Sequence, residues 1–417
     1  MFLHDAVGDG EAQPGADAHA LGGEARVEDA LEVRGRDAAA VIGDLDDDMD
    51  GVLDFADNCV TSSNTSQFEV ITTFDGEITC GEGPGYSDEW TDSAWVTAER
   101  ILAPMVVGKE VESAADIWSL MKWARGHRMA KSGIETACWD LEAKKLGVPL
   151  WRHLGGVNQV IECGVSIGIQ DSVEQLLEKI RVELDAGYKR IKIKISPSWD
   201  YDVIKAVRAE FGDILLMGDA NSAYTLDDID LLRSLDEFDL MMLEQPLPYD
   251  DIIDHAKLQR QLKTPICLDE SINCLRDAKH ALELGSCQII NIKLGRVGGH
   301  VSARAIQELA RHNEIPVWCG GMLETGIGRA HNIAMSTHQG FTLPGDISAS
   351  ARYWDYDIIE PPVTVSTTGT ISARSSTTPG SGTVLVKRIS GGAISNTQVA
   401  GSNWTRTAYN WVDSSIA

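Results

Sequence analysis

Apolar residues along the middle of this chain fall into short runs that close on ionisable residues. The runs are Ile191-Lys-Ile-Lys-Ile195, Ile214-Leu-Leu-Met-Gly-Asp219, Leu240-Met-Met-Leu-Glu244, Ile266-Cys-Leu-Asp269 and Ile289-Ile-Asn-Ile-Lys293. Lys194, Asp219, Glu244, Asp269 and Lys293 stand 24 or 25 positions apart. That period is one strand, one helix and two turns, so the five residues sit at one end of successive parallel strands. Ile161–Ile169 supplies a strand before them, and Ile315–Cys319 and Phe341–Asp346 supply two after them. Eight strands alternating with amphipathic helices between residues 160 and 345 favour a closed α/β barrel of the TIM type over an open doubly wound sheet. The glycine-rich phosphate fingerprint of a dinucleotide fold is missing after the first strand. In such a barrel the C-terminal mouth carries the chemistry.

The flanking pattern is different. Phe68-Glu-Val-Ile-Thr-Thr-Phe74, Asp75-Gly76 and Glu77–Glu82 predict a β-hairpin, and helices are predicted near 92–103, 111–125 and 130–145. The predicted organisation is an acidic extension over 1–66, the first part of a small α+β domain over 67–128, and the barrel over 129–345. Residues 346–387 return to the small domain, and 388–417 form an unassigned Ser/Thr/Gly-rich tail.

Residues 1–50 hold 14 Asp and Glu against 3 Arg, and the whole chain has a formal charge of −27. That balance excludes nucleic acid and anionic membranes as partners. Within the extension, Asp44–Asp57 alternates acidic positions and resembles one thrombospondin type 3 calcium repeat. It is read as a solvated acidic linker, the alternative being a Ca²⁺ loop at Asp44–Asp57. Eight scattered cysteines, several inside apolar strands, fit buried thiols in a reducing, cytoplasmic setting. No apolar run reaches membrane-spanning length.

Asp219, Glu244 and Asp269 end three neighbouring strands. Three buried carboxylates repel unless a cation neutralises them, and this set of hard oxygen donors suits Mg²⁺, or Mn²⁺, over zinc. Lys192 and Lys194 share one strand face, with isoleucines on the other. Solvated lysines on an exposed strand are the alternative, but an internal strand turns them into the barrel. There, mutual repulsion is expected to lower the pKa of one lysine and provide a base. Lys293 lies across the mouth from Lys194. Asn221 is expected to support the site, and Gly320 and Gly321 to let backbone approach a ligand.

The combination Lys192-Ile-Lys194, Asp219-Ala-Asn-Ser, Glu244-Gln-Pro, Leu268-Asp-Glu-Ser271, Asn291-Ile-Lys293 and Gly320-Gly-Met-Leu-Glu-Thr-Gly-Ile-Gly-Arg329 resembles the enolase superfamily. Within it, the resemblance is to the o-succinylbenzoate synthase / N-acylamino acid racemase group, and it spans about 67 to 365. It implies a (β/α)7β barrel with an α+β capping domain and Mg²⁺ on the three carboxylates. It also implies Lys194 and Lys293 as catalytic residues, and Lys192, Asn221, Gly320, Gly321, Met322 and Glu324 at the substrate or supporting the site. The implied activity is proton abstraction α to a carboxylate of a small molecule. It would be a dehydration serving menaquinone synthesis, or alternatively an N-acylamino acid racemisation or dipeptide epimerisation, in a homo-oligomer. A third reading is an inactive barrel carrying a calcium-binding N-terminal segment.

Overall fold

The computed structural model describes Glu89, residues 91–373 except Leu323 and five positions between 354 and 360, and the backbone of three short strands beyond residue 382. The predicted hairpin at 68–82 and the Ca²⁺ loop considered at Asp44–Asp57 lie outside the described residues.

Helices come first. Thr91–Thr97, Ala98–Leu102 (one π turn) and Ala103–Val106 run on from one another, followed by Ala115–Leu120 and the long helix Arg128–Leu146. The long helix stops where the sequence dictates. Gly147 takes a left-handed φ of 67° as its C-cap, and Pro149 follows. These helices bury Leu102, Val106, Ile117, Met121 and Ile134 in the main core.

The barrel follows. Strands β2 (Gly164–Ile167), β3 (Arg190–Lys194), β4 (Leu215–Asp219), β5 (Leu243–Glu244), β6 (Ile266–Leu268), β7 (Ile289–Ile292) and β8 (Val317–Cys319) form one sheet in sequence order. Every neighbouring pair is parallel. The eighth stave is the segment Phe341–Gly345. Phe341 bridges to Val317 and Gly345 to Cys163, both in parallel, and Gly164 N donates to Gly345 O at 2.7 Å. Just before β2 in the chain, β1 (Val160–Glu162) pairs antiparallel with β9 (Thr370–Ser372).

The period of two along each strand sorts the residues. Ile191, Ile193 and Ile195 point outward and are buried under the helices. The opposite face carries a separate apolar cluster of Met217, Met242, Cys267, Ile289 and Trp318 inside the barrel. Two residues further along the same strands stand Asp219, Glu244, Asp269, Asn291 and Gly320. The apolar cluster is thus a floor, and the polar residues form the layer above it at the C-terminal mouth. Arg190 and Lys192 lie over the Trp318 ring, 4.8 and 5.2 Å from its centroid.

Candidate active site

Strand register brings the sequence-predicted residues together. Lys194 pairs with Asp219 and Asp219 with Glu244 in Cα register, while Glu244 is level with Cys267, two positions before Asp269. The three carboxylates are 1%, 0% and 1% exposed. Each is turned onto cations. Asp219 Oδ2 accepts from Lys194 Nζ at 2.7 Å and lies 3.0 Å from Lys192 Nζ. Glu244 Oε2 accepts from Lys192 at 3.2 Å, and its Oε1 accepts from Asn291 Nδ2 at 2.7 Å. Asp269 Oδ2 lies 2.8 Å from Lys293 Nζ, and its Oδ1 is held by Arg296. Lys194 and Lys293 therefore flank the row from opposite ends, with Glu244 between them.

The Glu244-Gln-Pro motif has a visible local task. Gln245 takes a left-handed φ of 39°. Its Oε1 accepts from Asp269 N at 3.0 Å and Ser271 N at 3.3 Å, and its Nε2 donates to Ser271 Oγ at 2.6 Å. One buried amide thus fixes the turn that presents Asp269.

The electrostatics follow from burial among charges. Burial opposes ionisation of Asp219, but the ammonium groups of Lys194 and Lys192 outweigh it and hold its carboxyl well below the usual range. Asp269 is also held low, Arg296 and Lys293 overcoming its burial. Glu244 goes the other way, pushed up to about 8 by burial and by the charge of Asp219. The expectation that Lys192–Lys194 repulsion lowers a lysine pKa does not hold for Lys192. Burial does act downward on it, yet Asp346, Glu244 and Asp219 raise it well above the ordinary value, because carboxylates outnumber ammonium groups around it.

Three hard oxygen donors on adjacent strand ends, the middle one short of positive charge, match the needs of a magnesium-type cation. Among the described residues no three Asp, Glu, His or Cys side chains are drawn together as a cage. The fit of Asp219, Glu244 and Asp269 to such an ion is one of donor chemistry and strand position.

Of the remaining expected residues, Asn221, Gly320 and Gly321 lie just past strand ends at the same mouth, and Glu324 does not face it. Asn221, at φ 39°, accepts from Lys194 Nζ through Oδ1. A Cβ on Gly320 would run into Asn291 Oδ1 and Lys293 Cγ, and one on Gly321 into Asp346 O. Glycine is required at both by close approach. Met322 N donates to Glu324 Oε1 at 2.7 Å, and the same oxygen accepts from Asn332 Nδ2 at 2.7 Å. Glu324 thus shapes the loop rather than standing open to the mouth.

Asp346, Glu270, Asn291 and Arg296 also stand at this mouth, although the sequence pattern assigns none of them a role, Glu270 and Asn291 figuring only inside motifs. Asp346 Oδ2 lies 3.0 Å from Lys192 Nζ and its Oδ1 lies 3.6 Å from Arg190. Burial raises the Asp346 carboxyl, but Lys192 and Arg190 bring it down to about 2. A signal existed: Asp346 closes the eighth apolar run, 53 positions after Lys293, a little more than two strand-to-strand periods. Glu270 and Arg296 lie just past strand ends, where no periodicity marks them.

Comparison with known proteins agrees with this geometry. A family model described as "Enolase C-terminal domain-like" matches residues 175–388. One described as "Mandelate racemase / muconate lactonizing enzyme, N-terminal domain" matches residues 59–155. An o-succinylbenzoate synthase of Geobacillus kaustophilus is 52% identical over 308 residues, covering 72% of this chain and 82% of its own length. An N-succinylamino acid racemase of Thermus thermophilus is 48% identical over 285 residues, covering 67% of this chain and 77% of its own. The crystal structure of an enolase superfamily member from Listeria innocua superposes with a TM-score of 0.69 at 44% identity, over 72% of this chain and 81% of the other.

Proposed function

The chain belongs to the enolase superfamily, and from that premise we propose that it is an o-succinylbenzoate synthase, removing a proton α to a carboxylate and expelling water. The observation that carries the reading is the row Asp219–Glu244–Asp269 with a lysine at each end. Enzymes of this superfamily use Mg²⁺, and here Asp219, Glu244 and Asp269 would hold it. When bound, the ion draws electron density from the substrate carboxylate and lowers the energy of the dianionic enediolate.

This chain's own groups do the rest. Lys194, as a neutral amine, takes the α proton of a cyclohexadiene carboxylate, and the C–H electron pair moves into the enediolate. The C–O bond to the ring hydroxyl then breaks, Lys194 returns its proton to that oxygen, and o-succinylbenzoate and water result. Lys293 remains an ammonium beside the developing charge. Lys192, with its charge held by Asp346, sits deepest and offers a fixed positive group to the substrate carboxylate. Gly320 and Gly321 let backbone approach the substrate, with Met322 and Glu324 closing that side. The product is a menaquinone precursor. Among the described residues no helix is long and apolar enough to cross a membrane.

The symmetry of the two lysines supports racemisation of N-succinylamino acids as a second activity, since each faces its own end of the row. Side-by-side kinetics with both substrates tests the reading. Turnover of the cyclohexadiene carboxylate is expected to be the faster, and turnover of the N-succinylamino acid alone would reassign the chain as a racemase.

A further inference from the structure

Lys194 can act as a base only if its lone pair, rather than an N–H, faces the substrate. Two acceptors lie on it: Asp219 Oδ2 at 2.7 Å and Asn221 Oδ1. A neutral amine has two N–H groups, so these acceptors hold both and direct the lone pair away from the strand ends into the mouth.

That arrangement depends on which way the Asn221 amide is turned. With the amide reversed, Nδ2–H would point at the amine and donate to the lone pair that the reaction needs. Asn221 Nδ2 instead donates to Glu270 Oε1 at 2.9 Å. The other Glu270 oxygen, Oε2, is buried and makes no hydrogen bond, which is unfavourable for a polar atom and more so for a charged one. Neither helix capping nor turn formation by the Glu270 side chain accounts for it, since its other contact at this turn, with Asn273 Nδ2 at 2.9 Å, is made by its backbone carbonyl. The backbone around Asn221 is unusual too: Asn221 and Ser222 both have left-handed φ, 39° and 66°. Asn221 N donates to Asp219 Oδ1 at 3.2 Å, fixing the side chain's root and leaving its terminal orientation to Glu270.

We propose that Glu270 is a positioning residue for the base, locking the Asn221 amide so that its oxygen, and not its nitrogen, meets Lys194. The idea rests on Lys194 being the base. Asn221 bears on the Lys194 side, where its Oδ1 accepts from Nζ, while the Glu270 charge also acts on Lys293. The effect specific to the Lys194 face is therefore the difference between the two neutral variants Glu270→Met and Glu270→Gln.

The test is exchange of the α proton in deuterated water, followed by NMR separately for the D and L forms of an N-succinylamino acid. The full chain is used with Mg²⁺ present. Lys194→Ala identifies the enantiomer served by that face. Glu270→Met keeps the volume but removes the acceptor. It is expected to slow exchange of that enantiomer about 100-fold relative to Glu270→Gln, the scale of a misplaced reacting group, while the other differs less than about threefold between the two variants. Glu270→Gln restores an amide oxygen for Asn221 and is expected to stay within about fivefold of wild type on both. Equal losses on both faces, no loss in Glu270→Met, or a Gln variant as impaired as Met would overturn the inference. A crystal structure of Glu270→Met reads it without turnover: Asn221 Oδ1 is expected to leave Lys194 Nζ, and an unchanged contact overturns the inference. Wild-type protein that exchanges neither enantiomer would count against racemisation instead, and the crystal structure would still decide the role of Glu270.

Discussion

Replacing Lys293 by arginine separates the two reactions proposed for this mouth. Lys293 Nζ lies 2.8 Å from Asp269 Oδ2, with its side chain 14% exposed. An arginine there keeps a positive charge against that carboxylate. Two opposite charges at 4 Å and an effective dielectric near 20 attract by about 4 kcal/mol, so most of the electrostatic help to the enediolate survives a small displacement of the charge. What arginine cannot do is lose a proton near neutral pH. Dehydration needs Lys293 only as a cation and is expected to fall about tenfold, or about 1.4 kcal/mol. Racemisation needs it as base or acid once per turnover. General acid–base help is typically 10²–10⁴-fold, so a loss of about 10³, or about 4 kcal/mol, is expected. The assays are product absorbance for dehydration and optical rotation for racemisation, at saturating substrate. Equal losses in both would refute the reasoning, because they would give Lys293 one role in both reactions.

Glu244→Gln removes the middle donor and puts an amide beside Lys192 and Asn291, Glu244's partners at 3.2 and 2.7 Å. Calorimetry with Mg²⁺ is expected to show affinity down by at least about 100-fold, more than is lost when only a supporting residue is changed, and turnover down by several orders of magnitude. Trp318→Ala empties the barrel floor beneath the mouth and deprives Arg190 and Lys192 of the ring they lie over. A loss of about 3–5 kcal/mol is expected in urea unfolding, and a loss under about 1 kcal/mol would mean that the floor is not a packed layer.

The mouth was legible because parallel barrels repeat. One strand and one helix fix the spacing of residues that end up side by side, so Lys194, Asp219, Glu244, Asp269 and Lys293 betrayed the site by period alone. The inward direction of Lys192 and Lys194 followed from isoleucine alternation. Partners that act across the barrel were not legible. Asp346 meets Lys192 only because the sheet closes, and closure rests on a bridge between Cys163 and Gly345, far apart in sequence, with a second bridge tying Phe341 to Val317. Glu270 reaches Asn221 from a turn where no periodicity operates. The Lys192 charge state depends on how many carboxylates converge on it, which a strand pattern does not count.

Turnover of the cyclohexadiene carboxylate by purified wild-type protein, before and after chelation and beside Lys194→Ala, tests the central claim most directly. The account predicts conversion to o-succinylbenzoate that stops on chelation, returns with Mg²⁺, and falls by at least about 10⁴-fold in Lys194→Ala, the upper range for loss of a general acid–base group. Undiminished conversion in the chelated protein, or in Lys194→Ala, would contradict it.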